Sequence, residues 1–253
     1  MTHQECIECF HLLFSNWLSV KVSRSLFCLK GGCNLRFYFQ SIRYSEDIDF
    51  DVLTTSVQTL KKNVEKILND DNFSSLLGHR NIEIVDWSAP KQTETTQRWK
   101  IALKMAGGTI NIPTKIEFSR RRAQFEGTEI NYVNPAIISQ YKLQPVLLQH
   151  YQLKAAIEQK INALIHRSET QARDVIDLKI LLDQLSEDEN FEVSKKDKEK
   201  ASETLASVSF DHFKSQVWPF LLSEYQAPYK ERAFWDHVQD EVLNFIQTHL
   251  VIK

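Results

Sequence analysis

A glycine pair and three alternating aspartates lie close together in the segment LKGGCNLRFYFQSIRYSEDIDFDV, residues 29 to 52. The chain has six glycines, and two of them stand side by side as Gly31 and Gly32. Glycines between a strand and a helix let the backbone approach a phosphate closely, with helix N-terminal amides directed at it. The pair therefore indicates a phosphate-binding loop, although a glycine pair by itself is also typical of an ordinary turn.

The acids Asp47, Asp49 and Asp51 alternate with apolar residues, and this period of two predicts a strand with one acidic face. Carboxylates two positions apart on a strand point the same way, roughly 6.5–7 Å apart along the backbone. Two such carboxylates bind hard divalent cations, and Mg²⁺ is typical where substrate phosphates complete the coordination. The alternative is a solvent-facing strand edge whose charges prevent aggregation.

A third acid, Glu117, lies in a later alternating segment, TKIEFS, and shares a strand face with Lys115 and Ser119. In two-metal nucleotidyl transfer a third carboxylate commonly helps to hold the metal that activates the attacking hydroxyl. Asp47, Asp49, Glu117 and the glycine pair together predict a site for a nucleoside triphosphate and its metal. The competing interpretation of Glu117 is an exposed hairpin residue paired with a neighbouring Lys or Arg.

The elements that must position these residues follow from the periodicity of the chain. Gly107 and Gly108 indicate the turn of an antiparallel hairpin between RWKIALKM and TINIPTKIEFS, and SAPKQTETTQ is interpreted as a polar loop. From Asn134 onward the strand patterns end and helical patterns dominate, which places a domain boundary near residue 140, with domains 1–140 and 141–253. The remaining expectations are helices at 7–20, CNLRFYFQS, 55–68, LKAAIEQKINALIHR, ARDVIDLKILLDQL and KERAFWDHVQDEVLNFIQTHL, with strands at SLFCLK and NIEIVDW.

Composition limits the classes of function. The net charge is -2, so no global field attracts nucleic acid, and any polyanion contact must come from a local patch. Arg98, Lys100 and Lys104 on one strand face, with the basic run SRRR at 119 to 122, form a candidate patch for RNA phosphates. A charged hairpin is the alternative.

Four cysteines, Cys6, Cys9, Cys28 and Cys33, lie near the start of the chain. They could in principle hold zinc, but their spacing is unlike that of tight zinc knuckles. No secretory signal pattern and no apolar run of about 18 residues is present, so we expect a cytoplasmic protein with reduced thiols and no membrane partner.

Three segments together resemble a known family: KGGCNLR…IRYSEDIDFD, then KIEFSRR, then EQKINALIHRSETQARDVIDLKIL. They are similar to the AbiEii/AbiGii-type nucleotidyltransferases, the toxin half of a bacterial abortive-infection toxin–antitoxin system, within the DNA-polymerase-beta-like superfamily. The similar segments spread over about residues 26 to 182. The resemblance implies an α+β fold, with a polymerase-beta-like nucleotidyltransferase domain on a small mixed sheet and a C-terminal helical domain closing the cleft.

The resemblance also implies roles for individual residues. It places Gly31 and Gly32 in the triphosphate loop, Arg43 and Ser45 in a lead-in that contacts the nucleotide, and Asp47, Asp49 and Glu117 as metal ligands and catalytic carboxylates. Asp51 is left outside the metal site, because the family pattern uses only the first two of the alternating acids. It further implies that Lys160 approaches the phosphates and that Arg173 and Asp174 line the far side of the cleft. Without the resemblance, Lys160 fits a solvated basic face and Asp174 a helix start. Cys33 departs from the pattern, since a small hydroxyl residue usually follows the glycines.

The implied reaction is transfer of a nucleoside monophosphate from an NTP to a hydroxyl, with release of pyrophosphate and with Mg²⁺ or Mn²⁺ as cofactor. The acceptor would be an RNA, with tRNA as the first choice, or a protein hydroxyl, and a cognate antitoxin would be a partner. Two alternatives stay open. One is an antitoxin-type nucleotidyltransferase that modifies a partner protein, and the other is a catalytically silent nucleotide-binding module.

Overall fold

The computed structural model describes residues 1–253 except 168, 170 and 187. The chain forms two compact units. The first unit comprises Met1–Tyr38 and Tyr44–Tyr151, and the second comprises Phe39–Arg43 and Gln152–Lys253. The chain therefore passes from the first unit to the second after Tyr151, whereas the sequence patterns change near residue 140.

The first unit is built on a seven-stranded sheet with the strand order β3-β4-β5-β2-β1-β7-β6. Strand β2 is parallel to β5 and β1 is parallel to β7, while the other neighbours are antiparallel, so the sheet is mixed as predicted. In chain order the elements are α1 (His3–Lys21), β1 (Phe27–Lys30), α2 (Gly31–Tyr38), β2 (Asp47–Val52), α3 (Val57–Leu68), α4 (Asp71–Gly78), β3 (Ile82–Gln92), β4 (Thr96–Met105), β5 (Ile112–Ser119), β6 (Thr128–Tyr132), α5 (Pro135–Gln140) and β7 (Leu147–Tyr151).

The two faces of this sheet differ as the alternating sequence predicts. Ile48 and Phe50 of β2 and Ile116 and Phe118 of β5 are fully buried on one face, where the rings of Phe50 and Phe118 stack 5.1 Å apart. Helix α1 packs against β4, β5 and β7 with its apolar side. The opposite face carries the alternating polar residues of β2, β4 and β5. Burial of the apolar face thus fixes the register that aligns the acids on the other face.

The second unit is mainly helical, with one two-stranded parallel sheet formed by β8 and β9. Helix α11 packs on α7, α8 and α9, and the stacked rings of Phe213 and Trp235 lie 5.3 Å apart in this core. The elements are α6 (Leu153–His166), α7 (Ala172–Leu182), β8 (Phe191–Val193), α8 (Lys195–Ser207), α9 (Phe210–Gln216), α10 (Ser223–Gln226), α11 (Arg232–His249) and β9 (Leu250–Ile252).

Two expectations about secondary structure are wrong. The segment after Asn134 is not free of strands, because β7 joins the main sheet between β1 and β6, and β8 pairs with β9. SAPKQTETTQ is not a long polar loop, because β3 continues to Gln92 and β4 begins at Thr96. Backbone pairing between β3 and β4 stabilises these residues as strands, and their exposed side chains need no apolar pattern. None of the described helices is long and apolar enough to cross a membrane.

Candidate active site

The glycine pair lies at the junction between β1 and α2, where the sequence places it. Strand β1 ends at Lys30, and α2 begins at Gly31. Gly31 has a positive φ of +66°, and a Cβ built there would lie 3.0 Å from Oδ2 of Asp49. Glycine is therefore required twice at this position, once for its backbone conformation and once because the Asp49 carboxylate lies against its Cα.

We expect Gly31→Ala to lower nucleotidyl transfer at least tenfold, because the new methyl group displaces the Asp49 carboxylate. The left-handed backbone should also cost about 1–2 kcal/mol of stability. Gly107→Ala is the matched control, since Gly107 also has a positive φ, of +77°, but nothing lies within 4 Å of its Cβ position. Transfer rates and urea unfolding of both variants separate the two effects. Equal loss of activity in both variants would contradict the close approach to Asp49.

The predicted acids come together on one face of the sheet. Strand β2 pairs in parallel with β5, and the register places Asp49 directly opposite Glu117 and Asp47 opposite Lys115. On the other side, Asp49 lies opposite Lys30 of β1. Asp47 and Asp49 share a face because they are two positions apart on the strand. The structure thus brings Gly31, Asp47, Asp49 and Glu117 into one cluster.

The electrostatics of this cluster are those of crowded carboxylates. The pKa of Asp49 is raised to about 6, chiefly by desolvation and further by the negative charges of Glu117 and Asp47. The positive charges of Lys30 and Lys115 oppose this rise. The negative charges of Glu117 and Asp47, which add to this rise, would also attract a cation.

Two of the acids also have basic partners in the same sheet. Nζ of Lys115 lies 2.7 Å from an oxygen of Asp47, and the guanidinium of Arg98 lies 2.6 Å from Oε2 of Glu117. All four side chains are partly exposed, so these pairs exchange readily with solvent or ligand and contribute little to stability.

A divalent cation fits part of this donor set. Among the described residues no three His, Cys, Asp or Glu side chains are grouped closely enough to hold a metal ion by themselves. Mg²⁺, however, is usually bound through one or two carboxylates with substrate phosphates, and Asp47 and Asp49 would supply that pair of hard oxygen ligands. Glu117 lies opposite Asp49 and forms an ion pair with Arg98, as Asp47 does with Lys115. When bound, such an ion would neutralise charge on the transferring phosphate.

Ser45 and Cys33 fix the start of β2 rather than standing free in the cluster. The Ser45 hydroxyl donates to the carbonyl of Asp47 at 2.8 Å, and the Cys33 thiol donates to the same carbonyl at 3.3 Å. Cys33 is buried, and desolvation raises its pKa well above the usual value, so the thiol stays neutral. The unexpected Cys33 therefore helps to hold the backbone of β2 at Asp47.

A buried histidine that the sequence did not single out contacts both Cys33 and a second residue that holds this part of the backbone. His11 of α1 has Nε2 2.8 Å from Oγ1 of Thr114, whose hydroxyl donates to the carbonyl of Glu46 at 2.7 Å. His11 Nε2 therefore carries the proton, and Nδ1 faces the Cys33 sulfur at 3.5 Å. Desolvation lowers the pKa of His11 to about 3. The ring is neutral at pH 7 and acts as a structural link between α1, α2 and the sheet.

Asp51, the third alternating acid, is occupied by other donors. Its Oδ1 accepts from Nζ of Lys30 at 2.6 Å, and its Oδ2 accepts from the Tyr151 hydroxyl at 2.6 Å and from Nε of Arg122 at 3.2 Å. Sequence reasoning gave Lys30 and Tyr151 no role. The lysine before the glycine pair was visible in the segment, but the contact with Tyr151 joins positions 100 residues apart.

Arg43 and Lys160 belong to the second unit, and both are buried in ion pairs with Asp177. The Arg43 guanidinium binds Asp177 at two points, 2.8 and 2.7 Å, and Nζ of Lys160 lies 2.6 Å from Asp177 and 3.0 Å from Asp174. Burial alone would raise the pKa of Asp177, but the charges of Arg43 and Lys160 hold it well below the usual range. Arg167 also lies 3.0 Å from Asp174.

The predicted residues therefore fall into two groups. Gly31, Gly32, Ser45 and the acids belong to the first unit, whereas Arg43, Lys160, Arg173 and Asp174 belong to the second. Arg43 is the last residue of the segment Phe39–Arg43 of the second unit, and Ser45 lies in the first unit. Arg173 is half-buried in the first turn of α7. The RDVID segment was correctly placed at a helix start, but the importance of Asp177 was missed.

A mixed sheet with a strand–Gly-Gly–helix junction beside an acid pair and a third acid on the next strand is an arrangement suited to nucleotidyl transfer. The sequence profile for "Nucleotidyl transferase AbiEii toxin, Type IV TA system" matches residues 11–239. The chain belongs to this family, and it is a nucleotidyltransferase. The resemblance, the fold class and the enzyme class predicted from the sequence are confirmed.

Solved structures share the fold. A nucleotidyltransferase candidate from H. pylori is 17% identical with a TM-score of 0.61 and covers 98% of both chains. JHP933 from Helicobacter pylori is 17% identical with a TM-score of 0.56, covering 94% of this chain and 90% of its own. MenT4, a nucleotidyltransferase toxin from Mycobacterium tuberculosis, is 16% identical with a TM-score of 0.51, covering 83% of this chain and 68% of its own. No curated protein sequence matches the chain significantly.

Proposed function

We propose that the protein transfers a nucleoside monophosphate from an NTP to a hydroxyl of RNA, with tRNA as the first candidate, and depends on Mg²⁺ or Mn²⁺. In the reaction the acceptor oxygen forms a bond to the α-phosphorus and the bond to the α–β bridging oxygen breaks. Pyrophosphate leaves with the electron pair, and the hydroxyl proton is released to solvent. The place of this reaction is the cytoplasm, where both substrates occur.

The observation that carries the proposal is the convergence of Gly31, Asp49 and Glu117. The Asp49 carboxylate lies against the Gly31 backbone, and Glu117 lies opposite Asp49 on the neighbouring strand. A phosphate bound at the start of α2 would therefore lie next to the acid pair. Asp47 and Asp49 would hold the metal, and Glu117 would serve the side of the attacking hydroxyl.

A basic strip on the same sheet face supports RNA as the acceptor. The strip consists of Lys91, Arg98, Lys100, Lys104 and Lys115. The register places Lys91 opposite Arg98 and Lys100 opposite Lys115, so the positive charges continue across three strands from the acids. Contacts between such side chains and phosphates bind nucleic acid without reading its sequence.

The basic run SRRR at 119 to 122 contributes less to this strip than the sequence suggested. The Arg120 guanidinium donates to Gln97 at 3.1 Å and to the carbonyl of Thr55, and Arg122 donates to the buried Asp51. These two arginines are therefore engaged in contacts within the first unit. Arg121 is exposed.

Incubation of the protein with each labelled NTP, Mg²⁺ and either total tRNA or total protein tests the proposed function directly. Label in the RNA fraction supports the proposal, and label in protein alone would favour modification of a partner protein instead. Absence of label in every fraction, with NTP binding retained, would point to a silent nucleotide-binding module. A cognate antitoxin, as the family implies, should relieve growth inhibition by the wild-type protein.

We expect Lys100→Glu with Lys104→Glu to raise the KM for RNA about tenfold and to leave the KM for NTP unchanged, since the acids Glu117 and Asp47 pair with Arg98 and Lys115 of the strip and not with these two lysines. The dependence of RNA binding on salt should fall by roughly 0.7 in slope for each lost contact with single-stranded RNA. Lys62→Glu with Lys66→Glu on α3 is the control for charge alone, because both side chains are exposed and α3 does not carry the strip. Equal effects of the two double variants would remove the strip from the RNA path.

A further inference from the structure

Lys30 places a positive charge where β1 meets the glycine pair. It is the last residue of β1, it precedes Gly31, and its backbone is paired with Asp49. Its Nζ lies 2.6 Å from Oδ1 of Asp51, and the side chain is 25% exposed, so it is accessible from solvent. The ammonium is therefore held by a buried carboxylate, and its positive charge acts on Asp49 of the acid pair.

Asp51 is fixed in its position. Its side chain is 3% exposed, and both of its oxygens accept hydrogen bonds, Oδ1 from Lys30 and Oδ2 from Tyr151 and Arg122. Hydrogen bonds to an ionised group are the strong ones, and burial strengthens them. Asp51 thus aims the Lys30 ammonium instead of offering its own oxygens to a cation.

Tyr151 ties this pair to the helix that the glycine pair begins. Its hydroxyl donates to Asp51, and its backbone carbonyl accepts from Nδ2 of Asn34 in α2 at 3.0 Å. The ring is buried, with the Arg122 guanidinium 5.4 Å from its centroid. One residue at the end of β7 therefore holds both the partner of Lys30 and the first helix turn after Gly31.

We propose that Lys30 binds the β- and γ-phosphate oxygens of the NTP at the Gly31–Gly32 loop, and that Asp51 and Tyr151 are positioning residues for its ammonium. The proposal rests on the proposed function, since it requires a triphosphate substrate. An ammonium has three donors, and the hydrogen bonds described for Lys30 engage one of them, with Asp51. Negative charge grows on pyrophosphate as it leaves, so a fixed cation at this loop stabilises the transition state most.

The test compares inhibition by inorganic pyrophosphate with inhibition by a nucleoside monophosphate. For Lys30→Met we expect kcat/KM for NTP to fall about ten- to a hundredfold and pyrophosphate inhibition to weaken by the same factor. Inhibition by the monophosphate should not change. Lys30→Arg should keep most of the activity, and Tyr151→Phe should move both values in the same direction by a smaller factor. Lys62→Met, on the exposed surface of α3, is the matched control.

The outcomes separate this inference from the proposed function. Unchanged pyrophosphate inhibition in an active Lys30→Met variant would overturn the role of Lys30, while transfer by the wild type would still stand. If the wild type labels no acceptor, the proposed function fails. The role of Lys30 is then tested by equilibrium dialysis, which compares the affinity of wild type and of Lys30→Met for inorganic pyrophosphate. Should Lys30→Met fail to fold, the same measurements on Tyr151→Phe and Lys30→Arg test the proposal. Wild-type values of kcat/KM and of pyrophosphate inhibition in Tyr151→Phe would then overturn it.

Discussion

Asp49→Asn is expected to reduce nucleotidyl transfer about a thousandfold or more while making the protein more stable than the wild type at pH 7. The loss corresponds to roughly 4 kcal/mol of transition-state stabilisation, because the amide no longer supplies a charged oxygen ligand beside Asp47. Asparagine has nearly the same shape, so the close contact with Gly31 is retained.

Stability should respond in the opposite direction from activity. The pKa of Asp49 is raised to about 6 in the folded protein, against about 3.9 for an unfolded aspartate. Between these values the folded state binds more protons than the unfolded state, so the contribution of Asp49 to stability falls as pH rises from about 4 to 6. Its ionised form thus costs up to ~3 kcal/mol at pH 7, and the neutral amide removes that cost.

Urea unfolding of wild type and Asp49→Asn at pH 4.5 and pH 7, with transfer rates at pH 7, measures both effects. Asp86→Asn is the matched control, since Asp86 is an exposed aspartate on β3, opposite Ala102 of β4. Its activity and stability should match the wild type. An active Asp49→Asn variant would show that Asp49 takes no part in the reaction. The stability difference between variant and wild type should favour the variant more at pH 7 than at pH 4.5, and the reverse order would contradict the crowded-carboxylate cluster.

The local parts of this site are predictable from sequence because they depend on short-range chemistry. The period of two in DIDFDV defines β2 with its observed bounds, Asp47–Val52, since one face must be buried and the other solvated. The glycine pair marks the strand–helix junction because Gly31 needs a positive φ. The opposite placement of Glu117 and Asp49 then follows from sheet pairing, although the parallel pairing of β2 with β5 is visible only in the structure.

The partners of the charged residues are not predictable in the same way. By periodicity Asp51 is equivalent to Asp47 and Asp49, and only the family pattern, which uses the first two acids, leaves it outside the metal site. Its burial is not visible in the sequence, because β7, which no pattern indicated, brings Tyr151 beside it. Strand β7 contains His150, a buried polar residue whose Nδ1 lies 3.1 Å from Oδ1 of Asn34. Likewise Arg43 reaches Asp177 across 134 residues of sequence. Such contacts depend on how the chain returns on itself, and residue types alone do not encode that path.

Asp177→Asn is expected to destabilise the second unit by about 3–5 kcal/mol, because it leaves the buried Arg43 guanidinium without its carboxylate. Asp177 is fully buried, and it neutralises Arg43 together with part of the charge of Lys160. Lys160 keeps Asp174 as a partner, so the larger share of the loss comes from Arg43. The measurement is the urea midpoint followed by the fluorescence of Trp218 and Trp235 in this unit.

The pH dependence gives an independent check of the same residue. The pKa of Asp177 is held below its usual value in the folded state, so the unfolded state binds more protons as pH falls below about 4. The stability that Asp177 contributes is therefore complete above that pH and is lost as pH falls toward the lower folded pKa. Wild type should lose stability below pH 4 more steeply than Asp177→Asn.

A double variant decides whether the loss reflects an uncompensated charge. Arg43→Met with Asp177→Leu removes both charges of this pair, and we expect it to recover more than half of the stability lost in Asp177→Asn, since apolar replacements of buried pairs are often neutral. Asp183→Asn is the control at the C-terminal end of the same helix, because Asp183 is 59% exposed and pairs with Lys179 at the surface. If Asp183→Asn proved as destabilising as Asp177→Asn, burial of the ion pair would not be the cause of the lost stability. A double variant no more stable than Asp177→Asn would show that the Arg43–Asp177 pair itself stabilises the fold.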